Sequence, residues 1–196
     1  MKILTIAGPR VGGKYFTKYL ADEYGLTHHH EPILDLRLDT LLSNDDISVK
    51  LVTSHLYRYY HLDSGLGVEE SVDSIYDRIN QFKFDKIFLL DRYHTMEYIE
   101  ALINLELRKD NNHVDWVYNE QFKDKFVTES KVEYWKTYAK ESSRWIQLLS
   151  NKFKLPIIYY DDLYYNTKSV DLHGLHFNPD LSKKLRKNIP NSNKLL

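Results

Sequence analysis

The sequence predicts an α/β fold, a central parallel sheet flanked by helices in three layers, and three observations carry that prediction. The short apolar runs are continuous rather than alternating, as strands covered on both faces require. Helical periodicity fills the intervals between them, and alternation of this kind builds parallel sheets with right-handed crossovers. The first run leads directly into a glycine cluster and then a helix: Gly8, Gly12 and Gly13 are three of only 7 glycines in 196 residues.

The elements follow in order. Lys2–Ala7 (KILTIA) reads as the first strand, and Phe16, Tyr19, Leu20 and Tyr24 form the apolar stripe of the helix after the glycines. Ser48–Ser54 (SVKLVTS) reads as the next strand, and Val72, Ile75, Ile79 and Phe82 as the stripe of the next helix. Lys86–Leu90 (KIFLL) is a third strand, followed by a stripe of Met96, Ile99, Leu102 and Ile103. The longest stripe, Val132, Trp135, Tyr138, Ala139, Ser142, Trp145, Leu149 and Phe153, keeps helical spacing over about six turns and stops before Pro156. Leu155–Tyr160 (LPIIYY) is the last strand. The polar stretch Arg108–Glu129 reads as an insertion or lid. The three histidines His28–His30 read as a loop, since neighbours in an extended chain point to opposite faces and at most two can converge on a metal. No metal site is expected.

Composition narrows the function. A length of 196 residues predicts one domain spanning 1–196, and 27 Lys and Arg against 28 Asp and Glu, a formal charge of −1, argue against a nucleic-acid partner. The chain has no cysteine, so no thiolate can serve as ligand or nucleophile. No apolar run approaches the roughly 18 residues of a membrane span, which predicts no membrane association and a cytoplasmic location. Sixteen tyrosines include the pairs Tyr59–Tyr60, Tyr159–Tyr160 and Tyr164–Tyr165, suited either to the amphipathic edge of a cleft or to a lightly packed core. The tail Phe177–Leu196 is basic, with Lys183, Lys184, Arg186, Lys187 and Lys194 against Asp180, and suits either an anion or a solvated terminus.

The segment Gly8–Tyr15, GPRVGGKY, fits GxxxxGK[ST] at every position except the last. Such a loop turns successive backbone N–H groups inward, and the helix that follows adds its positive N-terminal end. Pro9, Arg10, Val11, Gly12, Gly13, Lys14 and Tyr15 are therefore the residues expected around a bound anion, with Lys14 reaching it as a point charge and Arg10 as a neighbour. A glycine-rich turn without a ligand is the competing account. Tyr15 stands where nucleotidases carry the hydroxyl that holds magnesium, which argues against a magnesium-dependent hydrolase of nucleotides.

The segment PRVGGKYFTKYL is similar to the PxSGTTxL loop of the P-loop sulfotransferase family, and other segments agree with that family in the same order. KIFLLDRYHTMEYIEAL resembles its second signature, which implies that Arg92 contacts the 3′-phosphate of the cofactor. VKLVTSHL resembles the strand that carries the catalytic His in the cytosolic branch, which implies that role for His55. WKTYAKESSRWIQLLSNKFKLPIIYYDDLYYN resembles the late helix, strand and Y-x-D-L turn, and KKLRKN is similar to the C-terminal cofactor loop, which implies cofactor contacts for Arg186 and Lys187. The resemblance implies a P-loop fold and transfer of a sulfuryl group, without a metal, from 3′-phosphoadenosine 5′-phosphosulfate to a small-molecule or carbohydrate acceptor, leaving adenosine 3′,5′-bisphosphate. It leaves the acceptor and the oligomeric state open. The chain departs from the pattern at Val11, Gly13 and Lys14, where the family has Ser, Thr and Thr, and at Glu100, where the family has a Ser on the 3′-phosphate. A carboxylate there is repulsive to a phosphate.

Two residues compete as the base that takes the acceptor's proton. His55 ends a strand, ordinarily titrates close to neutral pH and matches the cytosolic branch. Glu31, before Pro32, matches the branch that uses a Glu, and its distance from the loop is the better fit. Two other functions stand beside sulfuryl transfer. A nucleoside or nucleotide kinase is suggested by Lys14, by Glu31–Pro32 and by Asp91–Arg92–Tyr93, but an Arg-rich lid late in the chain is missing. A non-catalytic descendant that binds a nucleotide or a partner through the same cleft accounts for Val11 and Glu100.

Overall fold

The computed structural model describes residues 1–30, 46–93, 98–99, 101–102 and 129–160. Its elements in chain order are β1 (Lys2–Ala7), α1 (Gly13–Tyr24), β2 (Thr27–His30), β3 (Ile47–Val52), α2 (Thr53–Tyr57), a π-helical turn (Arg58–Leu62), α3 (Val68–Gln81), β4 (Lys86–Asp91), α4 (Glu129–Phe153) and β5 (Ile157–Tyr159). The strands form one sheet in the order β2-β3-β1-β4-β5. Every pairing is parallel, with Thr5 opposite Lys50 in β3 and Phe88 in β4. This is the α/β architecture expected from the sequence.

Alternate residues of the central strands face two apolar layers. Ile3 and Ala7 of β1 pack with Phe16 and Leu20 of α1, with Leu90, and with Tyr98, Ile99 and Leu102. Leu4 and Ile6 pack on the other face with Ile47, Val49 and Leu51 of β3, with Val72, Ile75 and Ile79 of α3, and with Trp145, Ile146 and Leu149 of α4. The 25-residue helix α4 serves both layers, since Trp135 and Ala139 of its first half belong to the α1 layer. The stripes read from the sequence are thus the buried faces of α1, α3 and α4. Met96 and Ile103 lie outside the described residues, as do the tail Phe177–Leu196 and the stretch Arg108–Glu129 up to the first residue of α4.

Two expectations need correction. The histidines His28–His30 are not a loop but part of β2, paired to β3 with His28 opposite Ser48 and His30 opposite Lys50. An edge strand is held by backbone hydrogen bonds and need not be apolar, and Gly25, with φ 66, turns the chain out of α1 into it. The strand expected over Ser48–Ser54 ends at Val52, and Thr53 and Ser54 begin α2. Both hydroxyls are engaged by α4: Thr53 Oγ1 lies 2.8 Å from Ser142 Oγ, and Ser54 is hydrogen-bonded to Tyr138.

Candidate functional site

With β1 central, the connection from β1 leaves toward β2 and that from β4 leaves toward β5. The carboxyl ends of β1 and β4 therefore form a topological switch point, where open parallel sheets bind their ligands. The loop Gly8–Gly12 leaves β1 at this point. Gly8 N–H donates to the Leu90 carbonyl at 3.1 Å, and Tyr98 O–H donates to the Pro9 carbonyl at 3.1 Å, so both neighbouring segments anchor the loop's first residues. Burial raises the Tyr98 pKa, which keeps the phenol protonated as a donor.

The loop's backbone alternates. Arg10 (φ 58) and Gly12 (φ 72) are both left-handed, and alternation of this kind gathers backbone N–H groups into a concave nest. A non-glycine residue in that region is uncommon, so Arg10 is held there by its surroundings. Between them, Val11 is fully buried in the α1 layer. Its side chain is a core group, and only its backbone can face a ligand. Gly12 has no side chain with which to cap α1, and the first turn of α1 contains no Asp or Glu. The positive end of the helix therefore meets no acid from its own first turn. Gly13 lets the helix seat on the sheet, because a Cβ there would lie 2.7 Å from Ala7 Cβ and 2.9 Å from Lys50 Cε.

The charged groups are distributed unevenly about this nest. Lys14 is exposed on α1, and its charge, with that of Lys18, adds to burial in lowering the His28 pKa, burial being the larger cause. Partial burial raises the Tyr15 phenol above its ordinary value, partly opposed by Arg10. Asp91 ends β4 and Arg92 follows it, and both are buried, at 3% and 8% exposure. The Asp91 carboxylate oxygen lies 3.6 Å from where a Gly8 side chain would begin, and it accepts the Arg92 backbone N–H at 2.8 Å. The Arg92 guanidinium lies 4.4 Å from the Tyr160 ring and 5.5 Å from the Tyr98 ring, contacts that fix a cation at the edge of the sheet. Next to it, Tyr93 stacks on Tyr159 at 4.5 Å. The Tyr159–Tyr160 pair thus divides its labour, one ring under Arg92 and the other in an aromatic stack.

His55 sits partly exposed within α2, three residues beyond the end of β3, and is a helical residue where a place directly at the end of a strand was expected. Glu31, Arg186 and Lys187 lie outside the described residues, and so do Glu100 and the pair Tyr164–Tyr165. The structure thus brings Gly8–Tyr15 and Arg92 to one edge of the sheet, with His55 following the adjacent strand β3. Lys50, Thr53 and Ser142 join them without having been singled out from the sequence, and so does Asp91, which the sequence offered only in support of a kinase. Lys50 did carry a signal: a lysine at the centre of an apolar run, SVKLVTS, in a strand expected to be buried on both faces. Among the described residues no group of three or more His, Asp or Glu side chains could hold a metal ion. No helix among them is long and apolar enough to cross a membrane.

No protein-family model and no curated protein matches this chain. Among solved structures, the solution NMR structure of a de novo designed protein with a P-loop NTPase fold matches at 9% identity, over 71% of this chain and 90% of that one, with a TM-score of 0.29. A likeness of that size decides nothing about function.

Proposed function

We propose that the chain is a nucleotide-dependent transferase that holds the phosphate end of its donor in the loop Gly8–Tyr15, and that it moves a sulfuryl group from 3′-phosphoadenosine 5′-phosphosulfate to a hydroxyl or amine acceptor. The observation that carries this reading is the nest itself: two left-handed positions, Arg10 and Gly12, running into a helix with no acid in its first turn, at the switch point of a parallel sheet. Backbone donors survive the replacement of the family's loop hydroxyls by Val11, Gly13 and Lys14. Arg92, clamped by Tyr160 and Tyr98, suits the 3′-phosphate, and Arg186 and Lys187 are proposed to join it. In the transfer, the acceptor oxygen or nitrogen bonds to sulfur as the bond from sulfur to the 5′-phosphate oxygen breaks. The acceptor's proton passes to Glu31 or His55, and adenosine 3′,5′-bisphosphate leaves.

A kinase is the second reading, and one observation favours it. The buried Asp91 carboxylate beside Gly8 would suit a hydrated magnesium ion on a nucleotide's phosphates and would be repulsive to a metal-free anion. Thermal denaturation separates the two, since a ligand that binds the folded state stabilises it by RT ln(1 + [L]/Kd). Adenosine 3′,5′-bisphosphate is expected to raise the melting temperature without divalent metal, and ATP with magnesium to raise it less. A larger shift with ATP that depends strictly on magnesium would overturn sulfuryl transfer in favour of phosphoryl transfer.

A further inference from the structure

We propose that His28, on the edge strand β2, ties the loop Gly8–Tyr15 to pH: an anion settling in the loop draws a proton onto the His28 imidazole, and acidification in turn tightens the loop's hold on that anion. The inference rests on the reading of the loop as a phosphate site and adds a regulation to it.

The register carries the geometry. His28 is paired with Ser48 of β3, and paired residues of neighbouring strands share a face of the sheet. Ser48 Oγ donates to the Thr17 carbonyl at 3.0 Å, so that face is the one covered by α1. The imidazole therefore stands beside α1, one strand further out than Ser48. Lys14 and Lys18, both exposed, are four residues apart on α1 and so lie one above the other on its outer side, with Lys14 at the end that leaves the loop.

The charges about the ring make its protonation depend on what the loop holds. The groups facing His28 are Lys14, Lys18 and Asp22 of α1, His29 and His30 of its own strand, and Lys50 of β3, opposite His30. Asp22 is the acid of this set, and it is paired with Lys18 at 3.0 Å. His28 Nε2 is buried without a hydrogen-bond partner among the described residues, whereas an imidazolium donates at both nitrogens. Burial first, and then the positive charges that include Lys18 and Lys14, hold the ring neutral. An anion in the nest at the start of α1 offsets the charge of Lys14 and of the helix end, and so removes part of what opposes the second proton. By reciprocity the protonated ring favours the anion by the same factor. Across a half-exposed, screened surface that factor is expected to be about two- to fivefold.

Histidine NMR titrations of the full chain at constant ionic strength test this, with inorganic sulfate as the probe because its own charge does not change near neutral pH. Saturating sulfate should raise the His28 titration midpoint, and sulfate should bind about two- to fivefold more tightly at mildly acid than at slightly alkaline pH. The midpoint of His61, which is held by the Leu66 carbonyl and lies against Trp145 in the opposite layer, should stay where it was. An unmoved His28 midpoint in the sulfate-saturated chain, or a rise that His61 shares equally, would overturn the proposal. So would a rise that vanishes in Lys18→Gln, since the anion would then sit on Lys18 and not in the loop. In His28→Gln the acid-side tightening should be lost, and an unchanged pH dependence there would also refute the coupling. A wild-type chain that binds neither sulfate nor adenosine 3′,5′-bisphosphate refutes the loop reading itself, which is a different result from a bound anion beside a stationary His28.

Discussion

Replacing Gly13 by Ala tests how α1 is seated on the sheet. The new Cβ would lie 2.7 Å from Ala7 Cβ and 2.9 Å from Lys50 Cε, whereas carbon atoms pack best at about 3.5–4.0 Å. Ala7 is fully buried and its methyl has no rotamer to escape into, so α1 must lift or the loop must shift. Overpacking of this kind costs about 1–3 kcal/mol. The gain in helix propensity from Gly to Ala is about 0.8–1 kcal/mol in a helix interior and smaller at its first residue. The net effect is a loss of about 1–2 kcal/mol, which for a chain of this size lowers Tm by about 2–8 °C. Calorimetric melts of the two proteins measure it, with Gly25→Ala as a contrast. At Gly25 nothing lies within 4 Å of the new Cβ, so any loss there comes from the left-handed backbone alone. A Gly13→Ala protein that melts at or above wild type would show that propensity outweighs the contact and that α1 does not sit on Ala7.

Three further outcomes are expected. Thr53→Ala leaves the 7%-exposed Ser142 hydroxyl without its 2.8 Å partner and should cost about 1–3 kcal/mol, whereas adding Ser142→Ala should cost little more; additive losses in chemical denaturation would argue against the pair. His28 has a pKa lowered chiefly by burial, so the unfolded chain takes up its proton first: its contribution is intact above the ordinary histidine pKa of about 6.5 and is lost as pH falls through the lower folded value. Melts between neutral and mildly acid pH should therefore fall less steeply in His28→Gln than in wild type, and identical slopes would refute this. If the proposed transfer occurs, Glu31→Gln should abolish it with nucleotide affinity within a few-fold of wild type, and His55→Ala should reduce it less; single-turnover assays showing full activity in Glu31→Gln and none in His55→Ala would reverse the assignment.

The sequence by itself determined those parts of this protein whose signal is local. β1 and β4 are continuous apolar runs, and α1, α3 and α4 announce themselves by three- and four-residue spacing because one face of each is buried. The loop was legible because a tight turn between strand and helix needs glycine at Gly12 and Gly13, and a spacing survives in the sequence where a shape does not. β2 left no such trace, since an edge strand held by the backbone of β3 can be written THHH. The end of β3 was equally silent: Thr53 and Ser54 have β-compatible chemistry, and it is Ser142 and Tyr138, far along the chain, that bind them at the start of a helix. The sheet order, and with it the meeting of Gly8 and Asp91 at one switch point, was decided only by tertiary structure. Lys50 shows the difference most clearly. Its presence in an apolar strand is a fact of sequence, but that its Cε comes to rest against Gly13 depends on a register with Thr5 and on the absence of a Cβ at Gly13, and neither contact exists until β3, β1 and α1 have packed.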